Sequence, residues 1–143
     1  MRNWVGPFQV GRVLEHCIDK SVPRPPEMGT AYLVSQSSWR SAPTHRCQPL
    51  YVGGNTGSPS RFRTRIGDLL ADLFGFFSEN TCHHSGGKSL HQWCRKNQVS
   101  PLQLYLAWVQ ECTCHRCLEI DLVRELSPSL NRKAPARCPI HAR

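Results

Sequence analysis

Between Pro49 and Phe74 the sequence changes its hydrophobic period, and that change constrains the fold more than any other feature. PLYVGG is a short strand-type run ending in two glycines. From Phe62 onward the apolar residues Phe62, Ile66, Leu69, Leu70, Leu73 and Phe74 recur at helical spacing, as a stripe facing a core. Ser58 is a candidate N-cap, and Pro59 occupies the first helical position, where a missing N–H costs nothing. Gly75 ends the run. A strand and an amphipathic helix joined by a Gly-rich turn each have one apolar face to bury, which requires a layered fold.

The flanking segments extend the pattern. GTAYLVS reads as a strand with Tyr32 and Val34 on one face and Ala31 and Leu33 on the other. PLYVGG is then its partner in an antiparallel hairpin, and the polar QSSWRSAPTHRC connects them. Upstream, Val10, Val13, Leu14 and Cys17 suggest a short helix over Val10–Ile18. SVPRPPEMG, with its three prolines, ends it. HHSGGKSLHQWCRKN reads as a loop leading into a short helix, and LQLYLAWVQ as a third strand. CLEIDLVREL places Leu118, Leu122 and Leu126 on one helical face and stops before Pro128. Strands in a small sheet covered by helices make an α+β fold.

The chain has 143 residues, enough for one domain with a modest core. Its hydrophobic fraction of 39% and charged fraction of 20% exclude a disordered class. The formal net charge of +8 fits a polyanionic partner, nucleic acid first, and by itself fits a merely soluble basic protein equally well. No window approaches the ~18 apolar residues of a membrane span, so no membrane association is expected. MRNWVGPFQVGRVLEHCIDK has no uninterrupted apolar stretch, which points away from a secretory signal and toward a cytoplasmic, intracellular chain.

In a reducing compartment the eight cysteines are better metal ligands than disulfide partners. Cys114-x2-Cys117 and Cys138-x2-His141 form two knuckles around a helix, a Cys₃His set of the kind that holds structural zinc. Cys112 and His115 are alternative ligands, and unligated thiols are the plain alternative to a metal. Cys17, Cys47, Cys82 and Cys94 are scattered, and Cys82-His83 with Cys94 has irregular spacing for a second site.

Several elements in order resemble the GIY-YIG nucleases. Tyr51-Val52-Gly53 is similar to the second element that names the family. Thr30-Ala31-Tyr32 stands where the first would, after Gly29. Phe62 and Arg65 match the helical arginine's register. In LEIDLVRELSPSLN, Glu119, Leu122, Pro128 and Asn131 fall at the family's offsets, so the resemblance spans roughly Gly29 to Asn131. Thr30 and Ala31 replace the first element's Gly-Ile. Leu69 occupies the position where many members carry histidine or tyrosine, which leaves His83 or His84 as a substitute from the following loop.

The resemblance implies a small three-stranded antiparallel sheet flanked by helices. It divides the chain into an N-terminal helical extension (1–28), a nuclease-like domain (29–133) and a tail completing the zinc site (134–143). It also implies DNA cleavage with one divalent metal. Glu119 is the expected ligand for Mg²⁺ or Mn²⁺, a hard cation that takes oxygen donors; otherwise it is an ordinary solvated glutamate. Tyr51, as base or nucleophile-positioner, needs positive charge nearby to lower a phenol of reference pKa about 10. Tyr32 beside it and Arg65 on the phosphate complete the expected site. The alternative for both tyrosines is a half-buried sheet aromatic.

Arg61 and Arg63 are candidate phosphate contacts or plain surface charge. Asn131 aligns substrate or caps a turn, and GGNTG (Gly53 to Gly57) is a turn that lets a DNA backbone approach. The expected function is a metal-dependent DNA endonuclease. The alternatives are a DNA-binding or scaffold module that has lost catalysis, and a zinc-stabilised protein-interaction domain. With no large recognition domain in view, cutting is expected to be loose or structure-directed, or targeted by a partner protein.

Overall fold

The computed structural model describes residues 2–15, 24–54, 59–76, 84–131 and 137–141. Its elements are β1 (Trp4–Gln9), α1 (Val10–Leu14), β2 (Ala31–Ser35), β3 (Pro49–Gly54), α2 (Phe62–Leu73), α3 (Ser85–Asn97), β4 (Tyr105–Val109) and α4 (His115–Leu126). The strands form one four-stranded antiparallel sheet in the order β1-β4-β2-β3, so the fold is α+β. No helix among the described residues is long and apolar enough to cross a membrane.

β2 occupies the interior of the sheet, and all five of its residues are buried. Its side chains alternate between two cores, because successive residues of a strand face opposite ways. Tyr32 and Val34 join Phe62, Ile66, Leu69 and Leu73 of α2 and Leu90 and Cys94 of α3. Ala31 and Leu33 join Leu118, Leu122 and Leu126 of α4 on the other face. The stripes of α2 and α4 therefore pack against opposite sides of the sheet. β4 is covered on both sides as well, so Leu106 to Val109 are uniformly buried rather than half exposed.

The expected helical extension before residue 29 contains a strand, and the sheet has four strands rather than three. Trp4 pairs with Val109 and Gln9 with Tyr105. Gly6-Pro7 conceals β1 in the sequence, because a proline usually argues against a strand. The register shifts between Val5 and Phe8, which makes this pair an irregularity on an edge strand, where a missing N–H is tolerated. Gly6 adopts a φ of +101°, and a Cβ there would stand 2.9 Å from the Leu106 carbonyl oxygen. Arg2 fastens this end of the chain through paired hydrogen bonds of 2.8 and 2.9 Å to the Glu125 carboxylate on α4. α1 spans five residues, and Cys17 lies outside the described residues.

The expected cap of α2, Ser58, also lies outside the described residues. A 3-10 turn over Pro59–Arg61 leads into the helix, whose first turn has no side-chain cap. Gly75, at φ +73°, terminates it. α3 is longer than expected: it runs for 13 residues, beginning directly after His84. Beyond α4, the amides of Ser129 and Leu130 donate to the carbonyls of Pro49 and Leu50 at 3.2 and 2.8 Å. This segment covers the outer edge of β3, which would otherwise expose unpaired backbone groups.

Candidate functional site

Tyr32 sits opposite Gly53 in the β2–β3 ladder, and Tyr51 lies two residues before Gly53, so both phenols stand on one face. Their ring centroids are 6.1 Å apart. The Tyr32 ring lies so close over Gly53 that a Cβ there would collide with its phenol. Gly86, in the first turn of α3, approaches the Tyr51 ring in the same way. Glycines at these two positions are thus a steric requirement of the tyrosine pair.

His84 completes the pair. Its Nε2 is 2.8 Å from the Tyr32 hydroxyl, and its ring centroid is 5.9 Å from that of Tyr51. The residue caps α3: the Gly87 amide donates to Nδ1 at 3.1 Å, while its own amide donates to the Asp72 carboxylate. Leu69 stands in the core, and an imidazole reaches the tyrosines from the start of the next helix. His83 lies outside the described residues.

The two charged candidates reach the same place from different layers. Arg65 projects from α2, with its Nη1 3.8 Å from Asp68, and its charge acts on Tyr32, Tyr51 and His84. Glu119, from α4, lays its carboxylate against the end of β3: a Cβ on Gly54 would stand 2.9 Å from Oε2. No hydrogen bond or ion pair to this carboxylate occurs among the described residues. Burial raises its pKa, and Arg116 pulls the other way.

Burial also raises the Tyr51 phenol above its ordinary value, and Glu119 adds to that effect. Arg65 lowers it, as expected from the sequence, but does not prevail. Tyr32, fully enclosed, is raised well above its ordinary value by burial first and by Tyr51 second. His84 is lowered to about 4, by burial and then by Arg65, with Asp72 opposing.

Three other candidates have structural partners. The Asn131 side chain accepts from the Val52 amide and donates to the Val52 carbonyl, both at 2.8 Å, so it docks on β3 as a strand neighbour would. Arg63 donates from Nε to the Pro25 carbonyl at 2.7 Å and pairs with Glu27 at 3.1 Å, tying the upstream segment to α2. Arg61 is exposed. Of the GGNTG turn, Gly53 and Gly54 belong to β3 and the remainder lies outside the described residues.

Cys114, Cys117, Cys138 and His141 converge, with their ligand atoms all within 4.8 Å of one another. The Sγ atoms of Cys114 and Cys138 are 3.6 Å apart, and His141 Nδ1 is 3.4 and 3.3 Å from the sulfurs of Cys117 and Cys138. Tetrahedral zinc with bonds of ~2.3 Å to sulfur and ~2.0 Å to nitrogen sets neighbouring donors roughly 3.5–3.8 Å apart. The two knuckles also repeat one local geometry. The Cys117 amide donates to Cys114 Sγ at 3.5 Å, and the His141 amide donates to Cys138 Sγ at 3.4 Å. Such N–H donors stabilise thiolates, the form that binds metal. The cluster could hold a metal such as zinc. Cys112 stands apart from it, with its thiol 3.8 Å from the Gly29 carbonyl.

No protein-family model matches this chain, and no curated protein or solved structure matches it either.

The resemblance grouped Tyr32, Tyr51, Arg65 and Glu119; in the structure the two tyrosine rings are neighbours, and the charges of Arg65 and Glu119 both act on them. The resemblance left His84 open. The sequence signal for His84 lies in HSGG: two glycines inside a helix's first turn disfavour the helix unless something must approach closely. Here Tyr51 approaches Gly86, and the Leu69 carbonyl approaches Gly87.

Proposed function

We propose that the protein is a metal-dependent endonuclease of GIY-YIG type, hydrolysing phosphodiester bonds in DNA. The observation that carries this reading is the grouping, around the end of β3, of two tyrosines, an arginine and a half-buried carboxylate that has no hydrogen bond or ion pair among the described residues. A carboxylate held in that state suits a divalent cation, because a cation relieves the burial that disfavours its charge. When bound, Mg²⁺ or Mn²⁺ would supply positive charge to the phosphate oxygens and acidify a water.

The chain's own residues do the rest. Arg65 binds the scissile phosphate and, by its charge, favours ionised Tyr51. The Tyr51 oxygen takes a proton from the attacking water as the water oxygen bonds to phosphorus. The bond from phosphorus to a bridging oxygen breaks, and that oxygen takes a proton from solvent while Tyr51 returns its own. The raised pKa of Tyr51 makes Arg65 essential to this step. Asn131 acts indirectly, by holding β3 in place. Arg61 and the overall charge of +8 supply nonspecific affinity for the polyanion.

We further propose that the Cys₃His cluster binds Zn²⁺ as a structural centre. Four protein ligands leave no position for water, so the metal would pin the tail to the first turn of α4, from which Glu119 projects.

A non-catalytic DNA-binding or scaffold module is the second reading. It is favoured by Leu69 in place of a helical histidine and by the engagement of Arg63 with Glu27. Labelled duplex, branched and single-stranded DNA tested for binding across a salt series, and for cleavage with Mg²⁺, separate the two. Steeply salt-dependent binding with metal-dependent cleavage supports the nuclease. Binding without cleavage of any substrate leaves the module, and no binding at all removes both.

A further inference from the structure

The polarity of the buried hydrogen bonds around His84 can be worked out from one fixed donor. A backbone N–H can only donate, so the Gly87 amide at 3.1 Å from Nδ1 requires that nitrogen to be unprotonated. A neutral imidazole with a bare Nδ1 carries its proton on Nε2. An imidazolium would set two N–H groups against each other at Nδ1, so the 3.1 Å contact favours the neutral ring. Nε2–H therefore donates across the 2.8 Å contact to the Tyr32 oxygen. The Tyr32 hydroxyl, having accepted this bond, has its own proton left to give elsewhere. Tyr51 is its phenolic neighbour, with ring centroids 6.1 Å apart, while Phe62 on the same ring offers no acceptor oxygen.

We propose that His84 is a positioning residue for the reaction: its Nε2–H holds Tyr32 as an acceptor and turns the Tyr32 proton toward Tyr51, which makes Tyr51 the phenol that ionises. The inference rests on the hydrolase reading above and assigns the two tyrosines different roles within it. Tyr32 is a donor to the developing phenolate, and Tyr51 is the base. The lower first cost of ionising Tyr51 follows from this order, since a phenolate that accepts a hydrogen bond is favoured over one that must lose one. The low pKa of His84 agrees with a ring that stays neutral throughout. The arrangement also accounts for an imidazole entering from the start of α3. A cap residue has its Nδ1 fixed by the helix it caps, so its tautomer is set by backbone rather than by a mobile side chain.

Two substitutions divide the roles of the ring. His84→Asn keeps an acceptor for the Gly87 amide and a preferred capping residue but cannot reach Tyr32. His84→Gln extends an amide N–H toward Tyr32 and gives up the cap. In cleavage assays on the full chain, His84→Asn should lower kcat roughly 100-fold with KM and thermal midpoint near wild type, the scale of a misdirected reacting group. His84→Gln should recover much of kcat while melting earlier. Wild-type kcat in the Asn variant, or equal loss of kcat in both variants, would overturn the proposal. Long-range ¹⁵N NMR of the histidine rings in wild-type protein is the second arm. An Nε2–H tautomer for His84 at pH 6 supports the proposal, and an Nδ1–H tautomer or imidazolium overturns it. A wild-type protein that cuts no substrate would defeat the hydrolase reading instead, and the NMR result would still decide whether His84 orients Tyr32.

Discussion

Tyr32 and His84, 52 positions apart in sequence, meet 2.8 Å apart in the buried centre of the fold. One comes from the interior of the sheet, and the other caps the helix that covers it. The contact therefore couples a site residue to the closure of the core.

This coupling has a pH signature. His84 has a folded pKa of about 4 against an ordinary value of 6.5, so the unfolded chain binds more protons between these values. Stability from this group is complete above about pH 6.5 and is lost as pH falls toward 4, by a few kcal/mol in all. Arg65 and Asp72 face the ring and enter the shift with opposite signs. Urea unfolding of wild type and His84→Asn should show similar stabilities at pH 7 and a gap in the variant's favour that opens as pH falls to 4.5. A gap constant over that range would mean that His84 does not titrate with unfolding.

Asn131 acts through the backbone it holds. Asn131→Ala removes two 2.8 Å hydrogen bonds to Val52 at the edge of β3. The expected cost is about 1–3 kcal/mol, seen as a drop of several degrees in the melting midpoint. Asn131→Asp should cost more, because it turns the carbonyl of Val52 toward a carboxylate oxygen. An unchanged midpoint in both would contradict the docking role.

Glu119 is held in a state that costs stability at neutral pH, since burial disfavours its charge. Glu119→Gln should raise the melting midpoint by a few degrees while abolishing cleavage. Gly54→Ala would displace the same carboxylate, which stands 2.9 Å from the position of the new Cβ. Because the flexible end of a side chain can yield, stability should change little, and activity should fall about tenfold or more. A fully active Gly54→Ala protein would count against Glu119 as the working carboxylate.

The metal centre predicts a different pattern. Purified protein should contain one zinc per chain, and Cys117→Ser should lose it along with several degrees of thermal stability. Cys112→Ser should change neither, because Cys112 sits apart from the cluster with its thiol on Gly29. Elemental analysis alongside melting curves checks both variants. Full zinc content in Cys117→Ser would remove that residue from the ligand set.

The elements legible in the sequence are those whose apolar period is unbroken. β2 faces two cores, and α2 and α4 each face one, so their side chains declare their own direction. β1 was hidden because Gly6-Pro7 breaks the run at an irregularity that pairing with β4 accommodates. α3 looked short because Gly86 and Gly87 resemble a loop, although both are small so that Tyr51 and the Leu69 carbonyl can approach. In the site, the resemblance to GIY-YIG nucleases pointed to Tyr32, Tyr51, Arg65 and Glu119, and spacing alone pointed to the Cys/His knuckles. His84 depends on packing between a helix cap and a strand far away in sequence, which no local period encodes. The burial of the Tyr51 phenol was illegible for the same reason. Arg65 could be counted from the sequence, but the burial that outweighs it could not.

The most direct test of the nuclease reading is incubation of supercoiled plasmid with zinc-loaded protein, with Mg²⁺ or Mn²⁺ or with EDTA, beside Glu119→Ala. The predicted result is nicking that requires the added divalent cation and disappears in the variant. Cleavage by Glu119→Ala at the wild-type rate, or no cleavage by well-folded wild-type protein with either cation, would contradict it.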